Sequence, residues 1–405
     1  MKWEIRRATV DDLPAIAFLD ESGFGYRYRP GELDEFRPLF EPERFLVAGD
    51  PAEGIDVGVT GSFSFPVTVP GGGPLPAQGV TLVAVAATHR RRGVLRALFT
   101  EQHRGFVDEG LALSVLTASE GAIYGRYGYA PVGRQRGVRI ERRFAEFRPG
   151  APDPGGVRMV GPAEARAHAP EVHRRWAAHT PGAISRDERW WDRELRDRED
   201  HRDGETALFF LIHPDGYAAY RYSGGGRDGA RACRVVEFFA ATDLAHVALW
   251  RVLLGLDLVD EVRTAQCPLD DPLPHLLTDP RQVQTEWIED GLWARVLDVP
   301  VALAARRYPV ELDVVLELTD GFLGQGGRYR LRGGPDGAEC APHRPGTGGP
   351  AQVRLDIGSL AQLLFGSYRA VTLARAGLVD AEPAVLARLD AGFTADRQVH
   401  HGTEF

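Results

Sequence analysis

The chain is poor in cysteine. Its 405 residues carry only Cys233, Cys267 and Cys340. They are far apart and form no CxxC pair, so neither a disulfide framework nor a thiolate metal site is expected, and a reducing cytoplasm is the expected compartment. Long apolar runs are lacking too. None approaches the roughly 18 residues that a membrane span needs, and Met1–Arg7 has no apolar core of a secretion signal. A basic surplus is also missing. The formal charge is -9 and the pI about 5.8, whereas sequence-independent nucleic-acid binding usually needs a basic face. An acidic chain suits a cationic substrate. What remains is a globular composition, 43% hydrophobic and 26% charged, long enough for two to three domains at about 150 residues each.

Along the chain, Lys2–Thr9 reads as a strand, and Thr9 or Asp11 can cap a helix to about Ser22. Arg44–Gly49 and Ile55–Val69 read as strands, and Gly71–Pro74 breaks the pattern. Gly79–Ala86 leads into an apolar run, as in a buried strand. An amphipathic helix follows, with Val94, Leu95, Leu98, Phe99 and Phe106 at helical spacing. Leu111–Thr117 is the next strand, and Ser119–Gly128 a loop with a short helix. Pro149–Gly156 is the clearest linker. Beyond it, Pro162–His179 is helical with a break expected at Pro170. His213-Pro214-Asp215-Gly216 turns a hairpin. A strand (Arg234–Ala240), a helix (Asp243 to about Leu256) and a strand (Glu261–Gln266) follow. The last third, from near Arg307, holds strands at Val310–Leu318 and Arg328–Leu331 and helices at Ser359–Leu378 and Pro383–Phe393. The expected fold class is α+β in three parts: residues 1–150, 151–300 and 301–405.

The first two parts share an order: hairpin, buried strand, turn, helix, strand. Val83–Thr88 in the first stands where Val235–Ala240 stands in the second. After Ala240 there is no arginine cluster and no glycine. A diverged internal duplication and a coincidence between two ordinary strand–helix–strand units are both open.

Arg90-Arg91-Arg92-Gly93-Val94-Leu95-Arg96 lies between a buried strand and a helix. Free N–H groups at a helix start point toward an anion, and the helix dipole adds to the attraction. Gly93 lets the backbone approach phosphates closely, and arginines add charge-assisted hydrogen bonds. Positive charge at a helix N-terminus is unfavourable by itself, which favours anion binding over a merely solvated basic patch.

Arg90-x-x-Gly93 matches the pyrophosphate-loop pattern Q/R-x-x-G-x-G/A of the GNAT acetyltransferase superfamily, with Leu95 in place of the last small residue. Val83–Ala97 as a whole resembles the Eis (enhanced intracellular survival) branch of that superfamily. So do Ala118–Tyr129, Asp271–Asp279, Asp290–Trp293 and the terminal pair Glu404-Phe405. The resemblance implies tandem GNAT-like domains followed by a sterol-carrier-protein-like domain, assembled as a homohexamer. It implies an acetyl-CoA site at Val83, Ala84 and Val85, at Arg91, Arg92, Gly93, Val94, Leu95 and Arg96, and at Ser119 and Glu120. It also implies Tyr124 as general acid and the main-chain carboxylate of Phe405 as base.

Acetyl transfer requires a neutral amine near the thioester, so a base must take a proton and a donor must meet the leaving thiolate. An α-carboxyl with a pKa of about 3.5 is ionised at neutral pH, and a tyrosine at about 10 keeps its proton. His89 is an alternative base by its ordinary pKa, but its place at the loop favours a structural or surface role. Tyr127 and Tyr129, with Trp190 and Trp191, read as packing residues, and His400 and His401 as tail residues. Phe24, Tyr26 and Glu404 are the candidate substrate contacts. Arg27 would repel a polycation there, and Glu404, Asp20 and Glu21 could offset it. The resemblance implies a small-molecule amine or lysine as substrate, with aminoglycosides among the candidates, and no metal is expected. Two rival classes are a lipid- or sterol-binding module and a CoA-binding regulator without turnover.

Overall fold

The computed structural model describes residues 3–224, 231–343 and 351–405. Met1 and Lys2, where the first strand was expected to start, lie outside the described residues. The chain divides into two compact units. One contains Met1–Val132, Leu292–Asp396 and Glu404–Phe405; the other contains Gly133–Gly291 and Arg397–Thr403.

The first unit opens with β1 (Glu4–Arg7), α1 (Leu13–Phe24), α2 (Glu32–Phe36), β2 (Leu46–Asp50), β3 (Ile55–Thr68), β4 (Pro74–Val85), α3 (Val94–Asp108), β5 (Leu113–Thr117), α4 (Gly121–Tyr124) and β6 (Ala130–Pro131). The second unit holds β7 (Arg134–Glu141), β8 (Arg158–Val160), α5 (Pro162–Ala177), α6 (Glu188–Glu194), β9 (Phe209–His213), β10 (Gly216–Gly224), β11 (Arg231–Ala240), α7 (Asp243–Leu254), β12 (Glu261–Pro268), α8 (Leu273–Leu276) and β13 (Val283–Asp290). The chain then returns to the first unit with β14 (Leu292–Val296), α9 (Val299–Ala304), β15 (Leu312–Thr319), β16 (Gly327–Gly334), β17 (Gly337–Pro342), β18 (Val353–Asp356), α10 (Ile357–Phe365), α11 (Ala370–Arg375), β19 (Val379–Ala381) and α12 (Pro383–Phe393).

The first unit has two sheets, ordered β1-β2-β3-β4-β5-β14-β6 and β17-β16-β15-β18-β19. The sheet of the second unit is ordered β13-β7-β12-β11-β10-β9-β8. In each unit an antiparallel pair (β3–β4, β10–β11) is followed by a parallel one (β4–β5, β11–β12), with α3 or α7 as the crossover. The shared topology favours the duplication. Strand β14 comes late in sequence yet inserts between β5 and β6, a pairing that no local pattern announces.

Alternation along β3 sorts the first sheet into two faces. Gly58, Thr60 and Ser62 face α3: a Cβ at Gly58 would lie 2.8 Å from Val94 Cγ1, and Thr60 bonds Gln102. The absence of a side chain at Gly58 is what lets the helix sit so close. Val59, Gly61, Phe63 and Phe65 point to the other face, where Phe36 and Phe45 pack with Phe63, and Phe40 packs with Phe45.

Three local expectations need correction. Pro170 lies inside α5 without ending it. The helix buries Ala165, Ala169, Val172, His173 and Trp176, and that packing outweighs one lost backbone hydrogen bond. Ser359–Leu378 is two helices, because Gly366 at φ 76 closes α10. Its Cβ would lie 2.6 Å from the Phe393 carbonyl. His400 and His401 are buried rather than loose. Their segment is tied down by Arg186, paired with Glu237 at 2.6 Å, which donates to the Gly402 carbonyl and to Thr403 Oγ1.

A buried polar chain runs through the core beside α3. His103 Nδ1 is 2.8 Å from the Phe99 carbonyl, so it donates there. Its Nε2 then accepts from Tyr129 Oη at 2.8 Å, and Ser114 Oγ, 2.6 Å from that hydroxyl, supplies the next proton. Nearby, Arg295 on β14 is fully buried. It donates to the Tyr127 carbonyl at 2.6 Å and to Asp320 at 2.7 Å. Gly128 at φ 80 makes room: a Cβ there would lie 1.9 Å from Arg295 Nη1.

Burial, helped by the Arg295 charge, lowers the His103 pKa to about 3. An unfolded histidine titrates at about 6.5, so between those values the unfolded chain binds the extra proton. The contribution is intact above pH 6.5 and is lost as pH falls toward 3, by up to about 1.4 kcal/mol per unit. Acid unfolding followed by circular dichroism should therefore show a shallower acid limb for His103→Gln than for wild type. Identical limbs would contradict a neutral buried His103.

Candidate functional site

The site begins where β4 leaves β5. The two pair in parallel only through Ala77–Leu113, Gln78–Ser114 and Gly79–Val115. Beyond Gly79 the strands diverge, and β4 carries on to Val85 with its β5-facing edge unpaired among the described residues. A bulge accompanies the divergence. Val59 pairs with Ala84 and Gly61 with Thr81, so Leu82 and Val83 together oppose Thr60. Leu82 takes φ 46, an uncommon conformation for leucine. Val83 is half-buried against the cluster that holds Val80, Phe99 and Tyr124, as is Leu95. Ala84 is buried and Val85 half-buried.

After β4 the chain makes a short turn, Ala87–His89, and enters the arginine loop. Arg91 has φ 62 and Gly93 φ 89. Among the described residues, nothing beyond its chain neighbours lies within 4 Å of where a Gly93 Cβ would be. No side chain caps α3, and its first backbone bond runs from Ala97 to Gly93, so the N–H groups of Val94, Leu95 and Arg96 find no acceptor within the helix. Arg90, Arg91, Arg92 and Arg96 are exposed. No carboxylate pairs with Arg90, Arg91 or Arg96 among the described residues. Cations without carboxylates beside an uncapped helix start fit a polyanion such as a pyrophosphate.

Two interactions fix this loop, and the sequence did not announce either. His89, 3% exposed, places Nε2 3.3 Å from Asp50 Oδ2, itself 2% exposed, and its Nδ1 is 2.8 Å from Thr88 Oγ1. Trp3 packs edge-on to the His89 ring at 5.8 Å and donates from Nε1 to the Arg92 carbonyl at 3.3 Å. His89 is thus a buried structural residue; the surface alternative does not hold. Asp50, Glu53 and His89 bring possible ligand atoms within 4.8 Å of one another. Asp50 Oδ1 accepts from Ala52 N while Oδ2 meets His89, so the two buried members are satisfied without a cation.

On the other face of β4, Phe405 occupies a seat. Its ring lies 5.2 Å from that of Phe65, and a Cβ at Gly79 would meet Phe405 Cε2 at 2.7 Å. Gly79 is the last residue of β4 paired to β5. Its neighbour Val80 packs with Phe99 and Tyr124 toward α3. Phe405 and Tyr124 therefore flank the point of divergence from opposite faces. Tyr124 is 5% exposed. Burial raises its pKa above the ordinary tyrosine value, the Glu120 charge adds to that, and Ser119 opposes it. The hydroxyl keeps its proton at neutral pH. Ser119 and Glu120 are exposed at the start of α4, as is Glu404. Tyr127 and Tyr129 are buried packing residues, as expected, and so are Trp190 and Trp191.

The segment after α1 lies on the Phe405 face, since a Gly23 Cβ would be 3.1 Å from Ala84 Cβ and Ala84 shares its face with Gly79. Phe24 and Tyr26 are exposed. Tyr26 Oη donates to Asp20 Oδ2, and Tyr28 Oη does so at 2.8 Å. Burial raises the Asp20 pKa, and the two hydroxyls oppose the shift. Arg27 pairs with Glu21 at 2.6 Å, which neutralises much of the repulsion expected from an arginine there.

Comparison with known proteins agrees with this architecture. Residues 4–132 and 182–296 each match a family described as "Acetyltransferase (GNAT) domain", and residues 299–401 match "Sterol carrier protein domain". The chain is 40% identical to N-acetyltransferase Eis of Mycobacterium tuberculosis, over 98% of each chain. The crystal structure of Eis1 from Mycobacterium abscessus superposes with TM-score 0.86 at 33% identity, covering 99% of this chain and 100% of that one. A GCN5-related N-acetyltransferase from Anabaena variabilis shares the fold at TM-score 0.84 and 20% identity, over 100% of both chains. The chain belongs to the Eis family of N-acetyltransferases, with two GNAT domains followed by a sterol-carrier-protein-like domain.

Proposed function

We propose that this N-acetyltransferase binds acetyl-CoA along the free edge of β4 and at the arginine loop, and acetylates amines of small molecules at Gly79–Val80. Acetyl-CoA supplies an acetyl group activated as a thioester. The edge of β4 from Val83 to Val85 offers backbone groups to an extended amide chain. The N–H groups of Val94–Arg96, with Arg91, Arg92 and Gly93, hold the pyrophosphate, and Ser119 and Glu120 border the same site. The carboxylate of Phe405 takes a proton from the acceptor ammonium, leaving the amine nucleophilic. Tyr124 holds a proton at Oη for the departing thiolate. Phe24, Tyr26 and Glu404 contact the acceptor. Through the family relation the proposal extends to aminoglycosides as acceptors and to a cytoplasmic homohexamer. The observation that carries it is the end of β4–β5 pairing at Gly79, with an uncapped, arginine-flanked helix start on one face and Phe405 on the other.

Thiol release by untagged protein against aminoglycosides, polyamines and lysine peptides tests this. Tyr124→Phe and deletion of Phe405 should each lower kcat by roughly 100-fold or more, the scale of a lost general acid or base. Undiminished turnover in either variant removes that residue from the mechanism. Acetyl-CoA binding with no release on any amine would favour the regulator.

The loop clamp gives a separate prediction. Asp50→Asn and His89→Ala should raise the KM for acetyl-CoA by about 10-fold, the scale of a charge-assisted hydrogen bond, while kcat changes little. A fall in kcat at unchanged KM would contradict a role in placing the loop.

A further inference from the structure

The tail of the chain crosses the open end of the second unit's sheet. β11 and β12 pair as far as Val235–Thr264 and then part. Past that point β11 carries Glu237 and Phe239, and the tail lies against them. A Cβ at Gly402, which has φ 66, would be 3.0 Å from Phe239 Cε1 and 2.6 Å from Trp176 Cη2. The tail backbone pairs with the stretch between α5 and α6. His400 N donates to the Pro181 carbonyl at 3.0 Å, and Ile184 N to the His401 carbonyl at 3.1 Å. Just past β12, Asp270 accepts from Gln398 N at 2.8 Å. In the first unit the matching divergence faces an uncapped helix start; in the second, the chain's own end lies there.

Arg186 is the hub of this contact. Its side chain is 2% exposed and meets Glu237 at 2.6 Å. Nη1 goes to that carboxylate, Nε donates to Thr403 Oγ1 at 2.9 Å, and Nη2 donates to the Gly402 carbonyl. The guanidinium also lies over the rings of Trp191, at 4.8 Å, and Phe239, at 5.3 Å. Burying a cation is costly unless it is paired and hydrogen-bonded. Here all three nitrogens are engaged, and two of them grip the tail. A planar fork of this kind sets direction as well as position. Phe405 stands two residues beyond Thr403. Two residues reach at most about 7 Å, so fixing Thr403 limits where the terminal carboxylate can go. Placement matters to a base, since a shift of about 1 Å can cost about 100-fold in rate.

We infer that Arg186 is a positioning residue for acetyl transfer: anchored by Glu237, it holds Gly402 and Thr403 so that the Phe405 carboxylate stays in place. The second GNAT domain then serves the reaction as the seat of the tail rather than as a second cofactor site. This rests on the proton-accepting role proposed above for Phe405. Arg186 acts through the tail and moves no proton itself.

The test is a mutant cycle on the full-length, untagged protein, scored by kcat and by the KM for acetyl-CoA with the best acceptor of the amine panel above. Arg186→Lys keeps a cation beside Glu237 and loses the fork. It should lower kcat by about 10- to 100-fold and leave KM within about 2-fold. Thr403→Val removes one acceptor and keeps the shape, and should lower kcat by about 3- to 10-fold. In a chain lacking Phe405, neither substitution should slow the residual rate further, because both act through the residue already gone. Wild-type kcat in Arg186→Lys overturns the inference. So does an equal loss with and without Phe405, the mark of general damage. If Arg186→Lys does not fold, Thr403→Val decides by the same two criteria. Should deletion of Phe405 leave turnover intact, the base proposal is what fails. Amide hydrogen exchange over 398–403 then judges Arg186 alone: faster exchange in the folded variant supports its hold on the tail, and unchanged exchange overturns it.

Discussion

The divergence of β4 from β5 after Gly79 is the constraint on which the rest of the first unit depends. Three parallel pairs hold the strands together at one end, and the bulge with Leu82 at φ 46 turns β4 away at the other. A bulge trades regular pairing for a redirected strand. Here the redirected edge runs straight into the arginine loop. Left-handed Arg91 and Gly93 then turn the chain into α3, whose start faces the opening without a cap. Strained backbone at Leu82 and Arg91 and the uncapped helix start thus gather in one place, a common economy in functional sites.

The second unit repeats the topology without the arginine loop. β11 leaves β12 after Val235–Thr264, yet Thr242 caps α7 through Ala245 N, and no arginine cluster precedes it. A capped helix start has spent an N–H group that the first unit leaves free. In the same unit Arg186 and Glu237 form a buried pair that grips Gly402 and Thr403. The last residues before Glu404 are therefore ordered by side-chain hydrogen bonds and not left to fray, as chain ends usually do.

Much of this was legible in the sequence, for a physical reason. The arginine loop, the buried strand before it and the helix after it are local signals, carried by adjacent residues. The partners that hold them are not. Asp50 and His89 are 39 residues apart, and Trp3 and Arg92 are 89 apart. Nothing in either segment names the other. Asp20 looked like one of several acids near the entrance, and only its burial and its two tyrosine partners set it apart from Glu21. Strand β14 was unreadable as part of the first sheet because its partners β5 and β6 precede it by a whole unit. Pro170 misled because its local cost is real but smaller than the burial of the α5 face, which depends on a sheet that composition does not reveal.

Amide hydrogen exchange on the full chain, with and without saturating acetyl-CoA, tests the central claim most directly. The account predicts added protection at Val83–Val85 and at Arg91–Arg96, the free edge and the uncapped helix start. Binding that leaves both segments unchanged, with protection confined to other elements, would contradict it.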